Sequence, residues 1–263
     1  MPLNKPLSEQ EKQLQAYYWA LFDAWGCQHW WPARTRFEVV VGAYLTQNTS
    51  WTNVERALGN LRAAGLLSVD GIRRTDLHKL EQLIRSAGYF RQKAQRLKTF
   101  VAFLDQNYGG SLNKLFAQPT AKLREALLSL NGVGPETADS ILLYAGSHPV
   151  FVVDAYTRRI LDRHGILPEK APYEDIRQLF ERALSPVAAA ATLTRPAKID
   201  SGAARGSGGA GHAPSRMSTV RRTATAQIYN EMHGLIVGVG KNYCRKSQAK
   251  CDECPLRRFL PSS

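Results

Sequence analysis

The stretch that decides the fold runs from Leu127 to Asp154, LLSLNGVGPETADSILLYAGSHPVFVVD. It reads as helix, hairpin, helix, then a short apolar run that ends in a carboxylate. Leu123, Ala126, Leu127 and Leu130 recur at helical spacing, so the first helix carries one buried stripe. Asn131-Gly132-Val133-Gly134 breaks it. The two glycines admit backbone angles closed to other residues and put no side chains over the turn. Pro135 suits the first position of a second helix, whose stripe is Ala138, Ile141, Leu142 and Ala145. The hairpin therefore ends at a helix N-terminus with amides pointing outward, where an anion is favoured.

The rest of the chain says which anion. Lys and Arg number 35 against 22 Asp and Glu, a formal charge of +13 over 263 residues. Such an excess favours a polyanionic partner. At the hairpin the expected anion is a DNA phosphate, with a merely solvated basic surface as the alternative reading of the charge. Apolar residues make up 44% of the chain, as in an ordinary globular protein. No apolar run approaches membrane-spanning length, so no membrane partner is expected. The first residues, MPLNKPLSEQEKQLQ, hold no apolar signal core. They imply a soluble intracellular protein of the cytoplasm or nucleoid. Three of the four cysteines fall between Cys244 and Cys254, a crowding that looks like metal ligation rather than a disulfide framework.

The periodicity elsewhere is helical. Helices are expected over Leu14–Trp25, from Phe37 to Leu45, over Trp51–Ala63, across Ile72–Gly88 and Arg91–Tyr108, over Tyr173–Leu184 and again from Thr225. Cys27 to Pro32 reads as a loop, and Thr46-Gln47-Asn48-Thr49 as the end of a helix. Phe151-Val152-Val153 is a short β-like run whose isolation argues for a buried connector. Between Pro186 and Arg222 the composition shifts to AAAA, GSGGAG and scattered basic residues with few large apolar ones. Residues 186–222 are expected to be a disordered insertion, because they cannot bury enough surface to offset the entropy of ordering.

The string Leu130-x-Gly132-Val133-Gly134-x-x-Thr137-Ala138, followed by Val153-Asp154 and Arg158, resembles the helix-hairpin-helix DNA glycosylases of the endonuclease III family. The resemblance covers roughly Phe37 to Asp162, plus the cysteine cluster. It implies an all-α fold of two helical domains with an active-site cleft between them. Residues 37–148 would form the domain that carries the hairpin, at about 131–134. Residues 1–36 and 149–263 would form a discontinuous second domain ending in a Cys-rich loop.

The resemblance also assigns roles. Asp154 sits where the family has its essential aspartate; a fixed anion there stabilises the oxocarbenium-like sugar and can deprotonate the attacking water. Read from the residues alone, Asp154 is equally a helix N-cap, and the two roles are compatible. Lyase-type members carry a lysine two residues after the second hairpin glycine, whose amine attacks the sugar. Here that residue is Glu136, which points to base removal by water without strand cleavage. Glu136 reads equally as a favourable acid in a first helical turn or as a contact at the pocket mouth.

Trp30, Trp31, Pro32 and Trp51 form an aromatic constellation suited to walling a flipped base and to attracting a cationic one. The string WWPARTRFEVVVGAYLTQNTSW is similar to the branch that removes 3-methyladenine. Gln47 sits where the family places the side chain that fills the gap left by the flipped nucleotide. With Asn131, Gly132, Val133, Gly134 and Arg158 it makes up the expected DNA-binding set. Cys244, Cys251 and Cys254 match three ligands of the family's [4Fe-4S] loop, while Leu260 occupies the position of the fourth. Zinc, a smaller cluster, a non-cysteine ligand or an empty site remain open alternatives.

These expectations converge on a monomeric base-excision-repair enzyme. It would hydrolyse the N-glycosidic bond of damaged bases in duplex DNA, alkylated purines such as 3-methyladenine foremost, without lyase activity. The alternatives are a glycosylase of mismatched, uracil or oxidised pyrimidine bases, and a non-catalytic protein that binds damaged DNA.

Overall fold

In the computed structural model the described residues are 6–193 and 209–261. They are all-α, as expected. No strand forms among them, and Cys244 and Ala249 make an isolated antiparallel bridge. The helices are α1 (Glu9–Trp25), α2 (Arg36–Leu45), α3 (Trp51–Ala63), α4 (Val69–Arg74), α5 (Leu77–Leu83), α6 (Phe90–Tyr108), α7 (Leu112–Phe116), α8 (Thr120–Leu128), α9 (Pro135–Ser140), α10 (Ala155–Arg163), α11 (Tyr173–Leu193) and α12 (Ala224–Asn242). The chain divides into two compact units. One is Ala33–His148; the other joins Met1–Pro32 to Pro149–Ser263.

Within Ala33–His148, α2 is buried on nearly every side, which its run of Val39, Val40, Val41, Ala43, Tyr44 and Leu45 permits. Its first turn is capped by Thr35, whose hydroxyl accepts from the Glu38 amide. Most of the hairpin stripe is inside: Leu123, Leu127, Ala138, Ile141, Leu142 and Ala145 are all fully buried, while Ala126 and Leu130 are half-buried at its edge. α9 runs directly into a wider π turn, Ile141–Ala145. Burial of side chains this size contributes about 1.5–3 kcal/mol each, so the two helices of the hairpin are held by packing.

In the other unit α12 is the spine. α1, α10 and α11 all pack against it, and Ala226 to Gly240 is buried almost without a break. Two of its glycines mark close approaches: a Cβ at Gly234 would press on Gln28 and Trp30, and one at Gly238 would run into the backbone of Gly209 and Ala210. Phe151, Val152 and Val153 are buried without regular structure, the connector that their isolation implied.

The expected insertion at 186–222 is corrected at both ends. α11 continues through Pro186 to Leu193, burying Val187 and Ala188. Four consecutive alanines are strong helix formers, and this propensity, not the lack of large apolar groups, decides the segment. At the other end Ala210 and Met217 are buried. The His212 amide donates to the Gln28 carbonyl and Ser215 Oγ to that of Trp31. The remainder of the expected insertion, 194–208, lies outside the described residues.

Candidate catalytic site

Asp154 sits at the mouth of α10, where the buried connector turns into the helix. Its backbone is extended (φ −111°), and its Oδ1 accepts from both the amide (2.8 Å) and the hydroxyl (2.9 Å) of Thr157. It is thus the N-cap that the residue type suggested. Oδ2 is not used by the cap; His233 Nε2 of α12 stands 3.5 Å from it. The Asp154 side chain is only 13% exposed. Burial by itself pushes its pKa up. The nearby His233 imidazole, with the two bonds from Thr157, outweighs this and holds the carboxyl below its usual range. A desolvated carboxylate kept ionised is what stabilises a developing cation.

His233 was not singled out by the sequence, where it follows Asn230 and Glu231 as a further polar residue within α12. The signal available was chemical: an imidazole among Ile228, Met232, Leu235 and Ile236 needs a partner when buried. Its ring lies 6.1 Å from that of Trp30 and 6.3 Å from Phe151. Trp30 and Trp31 are both buried and meet edge-to-face at 5.5 Å, while Pro32 is half-buried. The indole Nε1 of Trp30 has no hydrogen-bond partner among the described residues. His212 flanks Trp30 on another side at 5.5 Å. The Trp30 loop is anchored on α12 by Glu231, whose Oε2 accepts from the Gln28 amide at 2.9 Å. Glu231 and His212 are further residues that the sequence reading missed.

The hairpin lies in the other unit. Gly132 has φ +78°, where a side chain is strained, and Arg96 fills the space a Cβ would take. Gly134 is exposed, and a Cβ there would meet nothing within 4 Å, so the surface above the first turn of α9 is bare. Asn131 is exposed and Val133 buried. Gln47 joins the hairpin directly: Nε2 donates to the Gly132 carbonyl and to Thr137 Oγ1, both at 2.9 Å, and Oε1 accepts from Arg96 at 2.8 Å.

Beneath this, the buried Lys93 ammonium donates to the carbonyls of Leu45 (2.9 Å), Gln47 (2.7 Å) and Ala87 (2.7 Å), tying down the end of α2. Burial, aided by the like charge of Arg96, pushes this amine down to about 8. Glu136 is exposed in the first turn of α9. Trp51 opens α3, half-buried, with Nε1 donating to Glu55 at 2.9 Å. Arg158 donates to the carbonyls of Glu169 (3.1 Å) and Ala171 (2.6 Å), so its guanidinium braces the loop before α11.

Cys244, Cys251 and Cys254 line one cavity with Arg163, His164, Tyr243 and Leu260. Arg163 Nη1 donates to Cys244 Sγ at 3.3 Å. Burial pushes the Cys254 thiol up, and the neighbouring Cys244 and Cys251 sulfurs push it further. Among the described residues no three His, Cys, Asp or Glu side chains stand in a metal-holding group. The donors fit a cubane incompletely, since such clusters take four thiolates and the cavity's fourth side is the hydrocarbon of Leu260. No step of the chemistry below passes through this site.

Comparison with known proteins agrees with this architecture. The sequence profile of the HhH-GPD superfamily base excision DNA repair proteins matches residues 41–186. The Methanocaldococcus jannaschii protein named "Putative DNA repair glycosylase MJ1434" is 44% identical over 93% of this chain and 94% of its own. Among solved structures, the H. pylori 3-methyladenine DNA glycosylase bound to 1,N6-ethenoadenine superposes with a TM-score of 0.69. It is 27% identical and covers 89% of this chain and 98% of that one. A trapped endonuclease III–DNA intermediate shares the fold at 19% identity, with a TM-score of 0.65 over 97% of this chain and 96% of that one. The chain belongs to the HhH-GPD superfamily and is a DNA repair glycosylase of that family. Among the described residues no helix is long and apolar enough to cross a membrane.

Proposed function

We propose that the protein hydrolyses the N-glycosidic bond of alkylated purines in duplex DNA, 3-methyladenine among them, and stops at the abasic site. The observation that carries this reading is the largely buried Asp154 carboxylate, with Oδ1 committed to Thr157 and Oδ2 free of the cap. An alkylated purine is cationic, so when the C1′–N bond breaks its electron pair leaves with a base that is then neutral. No strong acid is needed. Asp154 stabilises the sugar cation, and as water's oxygen bonds to C1′ the carboxylate takes water's proton.

The choice of base is supported by the aromatic pair Trp30 and Trp31, whose ring faces attract a cation, and by the unpartnered Trp30 Nε1, a donor for a purine edge. The likeness to the H. pylori 3-methyladenine glycosylase supports it independently. Hydrolysis rather than lyase chemistry is supported by Glu136, which has no nucleophilic amine. Binding to the phosphates is supported by the bare Gly134 turn and the chain's +13 charge.

The test is incubation with duplexes carrying 3-methyladenine, 1,N6-ethenoadenine, uracil or a thymine mismatch, scoring abasic sites by alkali. Alkylated purines are expected to be released fastest. Asp154→Asn, which keeps the cap, is expected to lower that rate by about a hundredfold or more with duplex affinity unchanged. Preferential release of uracil or thymine overturns the substrate reading, and a fully active Asp154→Asn overturns the mechanism.

A further inference from the structure

We propose that His233 is a positioning residue for this reaction, orienting the Asp154 carboxylate at Oδ2, the oxygen that Thr157 does not hold. The inference rests on the reading of Asp154 as the catalytic carboxylate. Capping α10 requires one oxygen of Asp154, and Oδ1 meets that need twice over with the Thr157 amide and hydroxyl. An N-cap needs nothing at Oδ2. Yet α12 places an imidazole there, 3.5 Å away and 4% exposed, on a helix that is buried almost throughout. Burying a polar ring in such a place is costly unless the ring gains a partner.

The imidazole is also held in place. Trp30 and Phe151 stand on either hand at 6.1 and 6.3 Å, and the Trp30 loop is itself pinned to α12 by Glu231. With Oδ1 bound by Thr157 and Oδ2 faced by His233, the carboxylate cannot swing. A carboxylate oxygen has two lone-pair directions, so an Oδ2 that accepts from Nε2–H keeps one for the sugar or water. The other titratable groups around the pair are Tyr156 of α10, facing Asp154, Glu231 of α12 on the Gln28 amide, His212 beyond Trp30, and Glu181 of α11, which accepts from the Phe151 amide. Among the groups around Asp154, His233 is the one whose ring nitrogen faces Oδ2.

The experiment is the pH dependence of kcat on an alkylated duplex for wild type, His233→Phe, His233→Gln and Asp154→Asn. Phe keeps the ring's volume without a donor; Gln restores an N–H. With His233→Phe the acid limb of the profile is expected to move toward neutrality by about one pH unit, lowering kcat about tenfold at its acid end with KM unchanged. His233→Gln is expected to move the limb back. A purely structural role changes the height of the profile without moving its limb. Should His233→Phe lose its cooperative thermal transition, His233→Ala assayed with and without added imidazole decides: rescue with the wild-type limb supports the proposal, and no rescue overturns it. An unmoved limb in folded His233→Phe, with Asp154→Asn inactive, overturns this proposal alone. An active Asp154→Asn instead overturns the reading of Asp154 beneath it.

Discussion

Gln47 and Gly132 are joined by a 2.9 Å hydrogen bond from the Gln47 side-chain amide to the Gly132 carbonyl, so the turn that follows α2 is fastened to the tip of the hairpin. Thr137 and Arg96 complete the set, leaving both polar atoms of Gln47 engaged. If Gln47 fills the gap left by a flipped nucleotide, it exchanges these bonds for contacts in the helix stack. Gln47→Ala is then expected to slow base release from duplex about tenfold, because extrusion costs a few kcal/mol that the wedge offsets. The same lesion in a single strand should be released at close to the wild-type rate. Equal losses on both substrates, measured by single-turnover kinetics, point instead to a hairpin loosened by the lost bonds.

Arg124 and Asp139 couple the two helices of the hairpin. Arg124 Nε meets Oδ1 at 2.7 Å and Nη2 meets Oδ2 at 3.1 Å, with the Asp139 side chain fully buried. Removing one partner of a buried pair strands the other charge. Asp139→Ala is expected to lower stability by about 3–5 kcal/mol, read as a shifted urea midpoint. The double replacement Arg124→Met with Asp139→Leu should recover most of that loss, since a matched apolar pair strands no charge. A single variant within about 0.5 kcal/mol of wild type, the range of ordinary surface changes, would mean that the bridge is dispensable.

The cysteine cavity makes a metal prediction. Three thiols and the side chain of Leu260 line the same space. Wild-type protein purified without oxygen is expected to contain less iron than a cubane requires and to lack its visible absorption. Leu260→Cys, by adding the fourth thiolate, is expected to gain both. Full cubane iron in the wild type would show that a ligand outside these three thiols, Cys27 or a residue other than cysteine, completes the site.

How much of this was legible beforehand follows the range of each interaction. The hairpin stripe from Leu123 to Ala145 and the cap at Asp154 are local patterns of three or four residues, and the sequence carries them openly. His233 meets Asp154 across 79 positions (233 − 154), and Glu231 meets Gln28 across 203; no periodicity encodes such pairs. Composition misled at Pro186. The scarcity of large apolar groups there suggested disorder, but alanines need little burial to stay helical, and α11 extends to Leu193. The place of Arg158 after Asp154 suggested phosphate contacts; the structure adds that its Nη1 donates to the carbonyls of Glu169 and Ala171, a use that no local pattern announces.

Glu136 bears on the chemistry most directly. It is exposed in the first turn of α9, beside the bare surface above Gly134. With no amine at this position, base removal is expected to leave an abasic site in an intact strand, and product DNA should remain full length until alkali is added. Borohydride is expected to trap no covalent complex, because only an imine between amine and sugar can be reduced to one. Glu136→Lys is the sharper half of the test. A lysine there that reaches the sugar is expected to yield a trappable adduct and some strand nicking. It should also slow release of a cationic purine relative to a neutral base, since like charges would then share a desolvated site. An adduct with the wild-type protein would show that another amine is the nucleophile and would end the hydrolytic reading. A Glu136→Lys protein with neither adduct nor altered preference would leave Glu136 as an acid that favours the first turn of its helix.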